Sequence, residues 1–300
     1  MTVRDFDLLK GILVNAMLEQ ASEAKTSKAE VDISGGVDSA VVAALACLAF
    51  GKENVIGVYS SIDSSKESSR LAKLVSDRFG FRLVELDLSG VYREIVRAVS
   101  SEFVRLGIQF PDVEKPCNRT IFGGLRSCLR APVGRFVNRA FGGGIREGTG
   151  NRDEDELIRF YQKGGDGEVD SNWVEGLFKG EIWELAANLG VPQEVIDASP
   201  TPDLWGGENH TDESELLNLT GTRLTYTLPG KSMGSIEWAS RENEKNGCVL
   251  NDVPPESLGY DSVDSAVIMA LRKLERSSRH KACVPPHVSR ITLVNAGAVE

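Results

Sequence analysis

The stretch VDISGGVDSAVVAALA, residues 31–46, decides how this chain is read. A short apolar run enters a glycine pair, and a run that is apolar on nearly all sides leaves it. Ser34, Asp38 and Ser39 are the polar residues around the turn. Glycine takes positive φ freely and lets the backbone approach a ligand closely. The helix that follows aims its free N–H groups and the positive end of its dipole at the turn. Strand, glycine turn and helix in that order make a phosphate site. The lysine of the GxxxxGK[ST] loop is missing, which excludes a grip on terminal phosphates of that type. Asp38 repels a bare phosphate but makes sense as the ligand of a Mg²⁺ held against phosphate oxygens. The alternative is a plain tight turn in which Asp38 only suits the first helical turn.

The surroundings predict an α/β fold. Phe6, Leu9, Ile12, Leu13, Ala16 and Met17 recur at helical spacing, so residues 4–24 form an opening helix that packs on the rest. AEVDI at 29–33, NVIGVYSS at 54–61 and FRLVELDL at 81–88 read as buried strands. Between the last two, Ser64 and Glu67 have capping-box spacing ahead of Leu71, Leu74 and Val75, with Gly80 as the stop. The order α-β-α-β-α-β predicts a doubly wound parallel sheet flanked by helices. With 300 residues and 41% hydrophobic content, the chain can bury a large core.

Composition excludes other classes. No run of about 18 apolar residues exists, and MTVRDFD lacks the apolar centre of a signal peptide, so no membrane partner and a cytoplasmic setting are expected. Five cysteines, an odd number without a C-x-x-C pair, read as reduced thiols. A formal net charge of −10 argues against a nucleic-acid backbone binder.

SGGVDSA at 34–40 resembles the pyrophosphate loop of the N-type ATP pyrophosphatases, which cleave ATP to AMP and pyrophosphate. Later motifs narrow the resemblance: GTGNRDEDEL at 148–157, GGDGEVD at 164–170, GLFKGEIWELAANLGVP at 176–192, SPTPDLW at 199–205, TDESEL at 211–216 and RHK at 279–281. In that order they are similar to the NAD synthetase family over roughly residues 4–216 and 256–287. The resemblance implies an adenine nucleotide alpha hydrolase-like fold and the ATP- and Mg²⁺-dependent amidation of deamido-NAD to NAD. A carboxylate does not react with ammonia because its oxygen leaves poorly. Transfer of AMP onto it makes an acyl adenylate from which AMP departs when ammonia attacks.

Residue by residue, the resemblance assigns ATP and pyrophosphate to Ser34, Gly35, Gly36, Val37, Asp38, Ser39, Ser60, Arg130, Thr149, Lys179 and Thr201. It assigns deamido-NAD to Lys163, Asp166, Asp170, His280 and Lys281, with Asp166 also a candidate for the incoming ammonium. Asp38 and Glu154 match its magnesium carboxylates, with Glu156 as the substitute because the spacing to Asp166 is one residue longer than the family's. Thr211, with Asp212 and Glu213, matches a mobile loop that closes over the reaction and excludes water. Asp38, Lys179, Asp166 and Thr211 are therefore the expected catalytic residues. Read without the family, Lys179 is an ordinary exposed lysine at the start of an amphipathic helix, Asp166 a turn residue and Thr211 a helix cap. Cys128 stands where the family has the first arginine of a pair, with Arg130 as the second.

The resemblance also implies a homodimer whose interface helps bind deamido-NAD. Glutamine-using relatives carry a further glutaminase domain of about 250 residues for which these 300 residues have no room, so free ammonia is the expected nitrogen source. The chain is expected to be one domain over 1–300, with an insertion at about 217–255 rich in Gly, Pro, Ser and Asn that reads as an ordered hairpin or a loose surface excursion. Two other functions fit the same residues: amidation of a different carboxylate, and a nucleotide-binding module without chemistry.

Overall fold

Four short parallel strands carry the architecture. The computed structural model describes residues 3–113, 115, 118–201, 211–246 and 253–282. Strand β1 (Ala29–Asp32) is central, with β2 (Val55–Ser61) and β3 (Arg82–Asp87) on one side and β4 (Ile145–Glu147) on the other, in the order β3-β2-β1-β4. Ala29 lies opposite Val55 on one flank and Ile145 on the other. Residues 55–60 of β2 are all buried, which is why that strand reads as a continuous apolar run rather than an alternating one. Gly57 is required there: a Cβ would come within 2.5 Å of the Phe81 ring and 2.9 Å of Ile33 Cγ1.

The helices follow from the same pattern. Helix α2 (Val37–Phe50) is buried from Ser39 to Ala46 and packs between α1 (Phe6–Glu23) and α6 (Lys179–Leu189), with the short α7 (Gln193–Ile196) also against it. Helix α3 (Lys66–Phe79) lies against β2 and β3, and α5 (Arg119–Ala140) against β1, β2 and β4, with α4 (Ser89–Arg105) beside it. The cap of α3 is Ser65, whose Oγ accepts from Ser68 N at 3.0 Å, and not Ser64. Glu67 pairs with Arg70 instead of closing a capping box, because the helix starts one residue later than the expected pattern. In α1 the buried stripe is Leu13, Met17 and Ala21, while Ile12 faces solvent.

A second hydrophobic core lies on the C-terminal side. Its elements are a π-helical turn (Arg152–Ile158), α8 (Asp212–Thr220), α9 (Ser235–Asn246) and α10 (Ser262–Ala282). Ile158, Leu216, Leu224, Tyr226, Ile236, Ala239, Val267, Ile268, Ala270 and Leu271 fill it. The described part of the stretch 217–255 is therefore not a loose excursion. Its described residues supply Leu224, Tyr226, Ile236 and Ala239 to a buried layer, and Leu224 and Ile236 are fully enclosed. On α10, Val267, Ala270 and Leu271 face this core, while Val263 is exposed.

The topology positions the site. The chain leaves β1 toward β2 on one flank and returns to β4 on the other, so the order switches between β1 and β4. In open parallel sheets ligands bind beyond the strand ends at such a switch. The glycine turn after β1 and the GTGN turn after β4 meet there. Just beneath them, Arg146 of β4 is buried between Glu30, at 2.7 and 2.8 Å, and Asp32 of β1. Gly134 of α5 leaves room for the guanidinium, since a Cβ would lie 1.9 Å from Nη1.

Candidate active site

The turn after β1 is held open at the start of a helix. Gly35 has φ +89°, and a Cβ on it would meet Ser68 O at 2.6 Å, so both conformation and space demand glycine. Ser34 Oγ accepts from Gly36 N at 3.2 Å, and Ser39 Oγ donates to Gly36 O at 3.0 Å. Gly36 caps α2 without any side-chain hydrogen bond, which leaves the first-turn N–H groups of α2 facing the crevice. Asp38 stands in that first turn.

Three elements converge on Lys179. Its Nζ donates to Asp38 Oδ2 at 2.6 Å and to Glu154 Oε1 at 2.9 Å, and the side chain is 3% exposed. The ammonium also lies 5.3 Å from the Trp183 ring and 5.4 Å from the Tyr226 ring. Helix caps lock the three elements together. Asn151, fully buried, accepts at Oδ1 from Asp153 N and Glu154 N and donates its amide to Asp38 Oδ1 at 2.9 Å. Asp153 Oδ2 accepts from Lys179 N at 2.9 Å, at the head of α6. Asn151 and Asp153 were not expected as site residues. The signal for Asn151 was its place directly after a strand and a G-x-G turn.

The electrostatics follow from burial. Burial works to discharge Lys179, but the Asp38 and Glu154 carboxylates outweigh it and hold the ammonium charged. Burial raises Glu154 despite the lysine beside it. Asp212, adjacent in the site, is pushed up to about 8 by burial and then by the Glu154 charge, so it is mostly protonated at neutral pH. Asp153 is pushed up to about 7 by burial. Two carboxylates against one ammonium leave a net negative pocket. Asp38 and Glu154 offer the hard oxygen donors that suit Mg²⁺, which binds one or two carboxylates together with phosphate oxygens. Among the described residues no group of three or more potential metal ligands is present.

The other expected residues fall into separate groups. Ser60 is buried at the end of β2, its carbonyl accepts from Arg130 Nε at 3.1 Å, and its own hydroxyl has no partner among the described residues. Thr149 is half-buried in the turn after β4 and Thr201 is exposed. Asp166 accepts from Ser127 Oγ and Gln162 N, both at 2.7 Å. Lys281 donates to the carbonyls of Arg159 and Tyr161, which ties it to the same loop as Asp166 and the exposed Lys163. Burial lowers the Lys281 ammonium against the pull of Asp166 and Asp155. His280 is exposed and turned to Ser277 O of its own helix. Asp170 is taken up internally, accepting from Arg135 Nη1 at 2.7 Å and Arg146 N at 2.9 Å. Thr211 caps α8 through Ser214 N at 3.3 Å. The Glu156 side chain and residues 202–205 of the PDLW motif lie outside the described residues.

A parallel sheet with a glycine turn at its switch point, an uncapped helix start above it and a buried lysine between two carboxylates defines a nucleotide-handling α/β enzyme. Comparison with known proteins names the family. Residues 11–224 match NAD synthase. An NH(3)-dependent NAD(+) synthetase of Methanosarcina acetivorans is 33% identical over 289 residues, covering 94% of this chain and 98% of the relative. One from Pyrococcus horikoshii is 31% identical, covering 72% and 75%. The chain belongs to the NAD synthase family. Solved structures agree in fold: an NMN synthetase from Francisella tularensis has TM-score 0.73 at 20% identity, covering 96% of this chain and all of that one. An NH3-dependent NAD synthetase from Campylobacter jejuni has TM-score 0.67 at 16% identity, with the same coverage.

Proposed function

We propose that the protein amidates deamido-NAD to NAD with ammonia, at the expense of ATP, through an acyl adenylate. The observation that carries this reading is the buried Lys179 ammonium, held by Asp38 and Glu154 directly beside the uncapped start of α2. That arrangement offers fixed positive charge where negative charge develops. The family membership, and the names of relatives matched over nearly their whole length, support the substrate and the nitrogen source.

The chemistry balances in two steps. An oxygen of the nicotinate carboxylate attacks the α-phosphorus, and the bond to the β-phosphate oxygen breaks with release of pyrophosphate. Ammonia then attacks the acyl carbon, the bond to the AMP oxygen breaks, and the nitrogen loses a proton to give the amide. In the first step the N–H groups of α2 and the hydroxyls of Ser34 and Ser39 receive the departing pyrophosphate. Lys179 exchanges a carboxylate for a phosphoryl oxygen and stabilises its growing charge. Asp38 and Glu154 would hold Mg²⁺, whose chemistry is to neutralise the phosphate oxygens. Asp166 and Lys281, the latter tied from α10 to the loop that carries Asp166, are the contacts for deamido-NAD, and Lys163 and Asp170 lie along the same loop stretch.

The whole chain acts as one unit in this reading, set in the cytoplasm and paired as a homodimer. No described helix is long and apolar enough to cross a membrane. The exposed apolar residues Val104, Leu106, Ile108, Ile121 and Phe136 on and beside α4 and α5 supply a self-association face. The decisive test is pyrophosphate release from ATP with Mg²⁺ and ammonium, with and without deamido-NAD. Release that depends on deamido-NAD, at much higher rate with ammonium than with glutamine, is expected. Release with another carboxylate only, or none at all, would overturn the reading.

A further inference from the structure

The segment beyond residue 216 brings one residue into the centre that the motifs do not contain. Tyr226 lies in the stretch that has no counterpart among them, and its ring centroid is 5.4 Å from the Lys179 ammonium, nearly as close as the 5.3 Å of Trp183 on the lysine's own helix. It is 3% exposed, and its hydroxyl is buried without a hydrogen-bond partner among the described residues. Such an orphaned O–H costs stability unless something completes it. The titratable groups around it are the Lys179 ammonium and the carboxyls of Glu154, Asp212, Asp153 and Asp38. Burial, reinforced by the neighbouring acidic groups, holds the phenol well above its usual range, so it remains a neutral donor.

The backbone fixes this placement from both sides. Tyr226 N donates to Glu213 Oε1 at 3.0 Å, which ties it to the TDE motif at the head of α8. Gly234 passes so close that a Cβ would lie 2.3 Å from the Tyr226 carbonyl carbon. The following residue, Thr227, donates to Glu237 Oε2 at 2.6 Å, and both crowd Gly180 at the start of α6, where a Cβ would meet either at 3.0 Å. The phenol is thus pre-positioned on the element that carries Lys179.

We propose that Tyr226 is a further residue of the nucleotide site: its hydroxyl donates to a phosphoryl oxygen of bound ATP when Lys179 turns to that anion, while its ring keeps the ammonium in place. This rests on the reading of the site as ATP-dependent. The test compares wild type with Tyr226→Phe, which keeps the ring and removes only the O–H. Three quantities are measured: the melting temperature without ligand, its rise on adding ATP with Mg²⁺, and the rate of deamido-NAD-dependent pyrophosphate release. Loss of the orphaned hydroxyl should raise the ligand-free melting temperature, while the ATP-induced rise shrinks and kcat falls on the order of a hundredfold. A residue that only supports the fold would not move stability and ligand response in opposite directions. An unchanged ATP-induced rise in the variant overturns the proposal, as does a wild type that ATP with Mg²⁺ does not stabilise. If ATP stabilises the wild type but deamido-NAD elicits no pyrophosphate, the substrate assignment fails and the ATP-induced rise alone decides the role of Tyr226.

Discussion

Asp38 joins three elements of the centre. One of its oxygens receives the Lys179 ammonium, the other the Asn151 amide, and its backbone opens α2. Asn at this position keeps the volume and the helix-start preference but removes half of the charge that balances Lys179. We expect Asp38→Asn to lower pyrophosphate release about a hundred- to a thousandfold, roughly 3 to 4 kcal/mol in the barrier. Because Lys179 is buried and Glu154 alone would then neutralise it, stability should also fall by about 1–3 kcal/mol, read by chemical denaturation of ligand-free protein. A variant with wild-type turnover would reduce Asp38 to a turn residue. The place of this residue, at the helix start after a glycine turn, was legible in the order strand, glycine turn, helix. The roles of Asn151 and Asp153 were not, because a buried amide and a carboxylate that caps another segment's helix look in sequence like ordinary turn residues.

Strand β4 shows what an element adds. It is only three residues long, yet Ile145, Arg146 and Glu147 are all buried, and two of the three are charged. Glu147 accepts from Ser171 Oγ at 2.5 Å, and burial, the dominant cause, pushes its carboxyl up to about 7. A carboxyl raised above its unfolded value binds more protons in the folded state, so its contribution to stability falls as pH rises from about 4.5 to 7. Glu147→Gln has no such titration. The loss of unfolding free energy between pH 5 and pH 7.5 should be about 1–3 kcal/mol smaller in the variant than in wild type. Equal losses in both proteins would show that Glu147 is ionised throughout. No apolar periodicity announced this strand, since its short run of buried charge depends on partners 24 to 116 residues away for its pairing.

At the scale of the molecule, exposed apolar residues on and beside α4 and α5 carry the proposed self-association face. Phe136 is 73% exposed on α5, and Val104 is equally open at the end of α4. If this face joins two copies, Phe136→Glu should shift the sedimentation coefficient from dimer to monomer at micromolar concentration while leaving the far-ultraviolet circular dichroism unchanged. Wild type that sediments as an active monomer would remove the homodimer from the reading.

By itself, the sequence determined the parallel sheet, the glycine turn after β1 and the place of Asp38 at the helix start that follows it. These rest on local chemistry: unbroken apolar runs, glycine where φ is positive, and a helix start placed against a turn, whereas Glu154 and Lys179 were singled out only by their resemblance to family motifs. Only the tertiary structure decided that Lys179 is buried rather than solvated, that Ser65 and not Ser64 caps α3, and that the described residues of 217–255 contribute to a core. Each of these depends on which distant surfaces meet. Tyr226 is the clearest case: nothing in TRLTYTLPG distinguishes it until the chain folds back and lays its ring on an ammonium 47 positions earlier, where burial and charge give an ordinary tyrosine a place in the site.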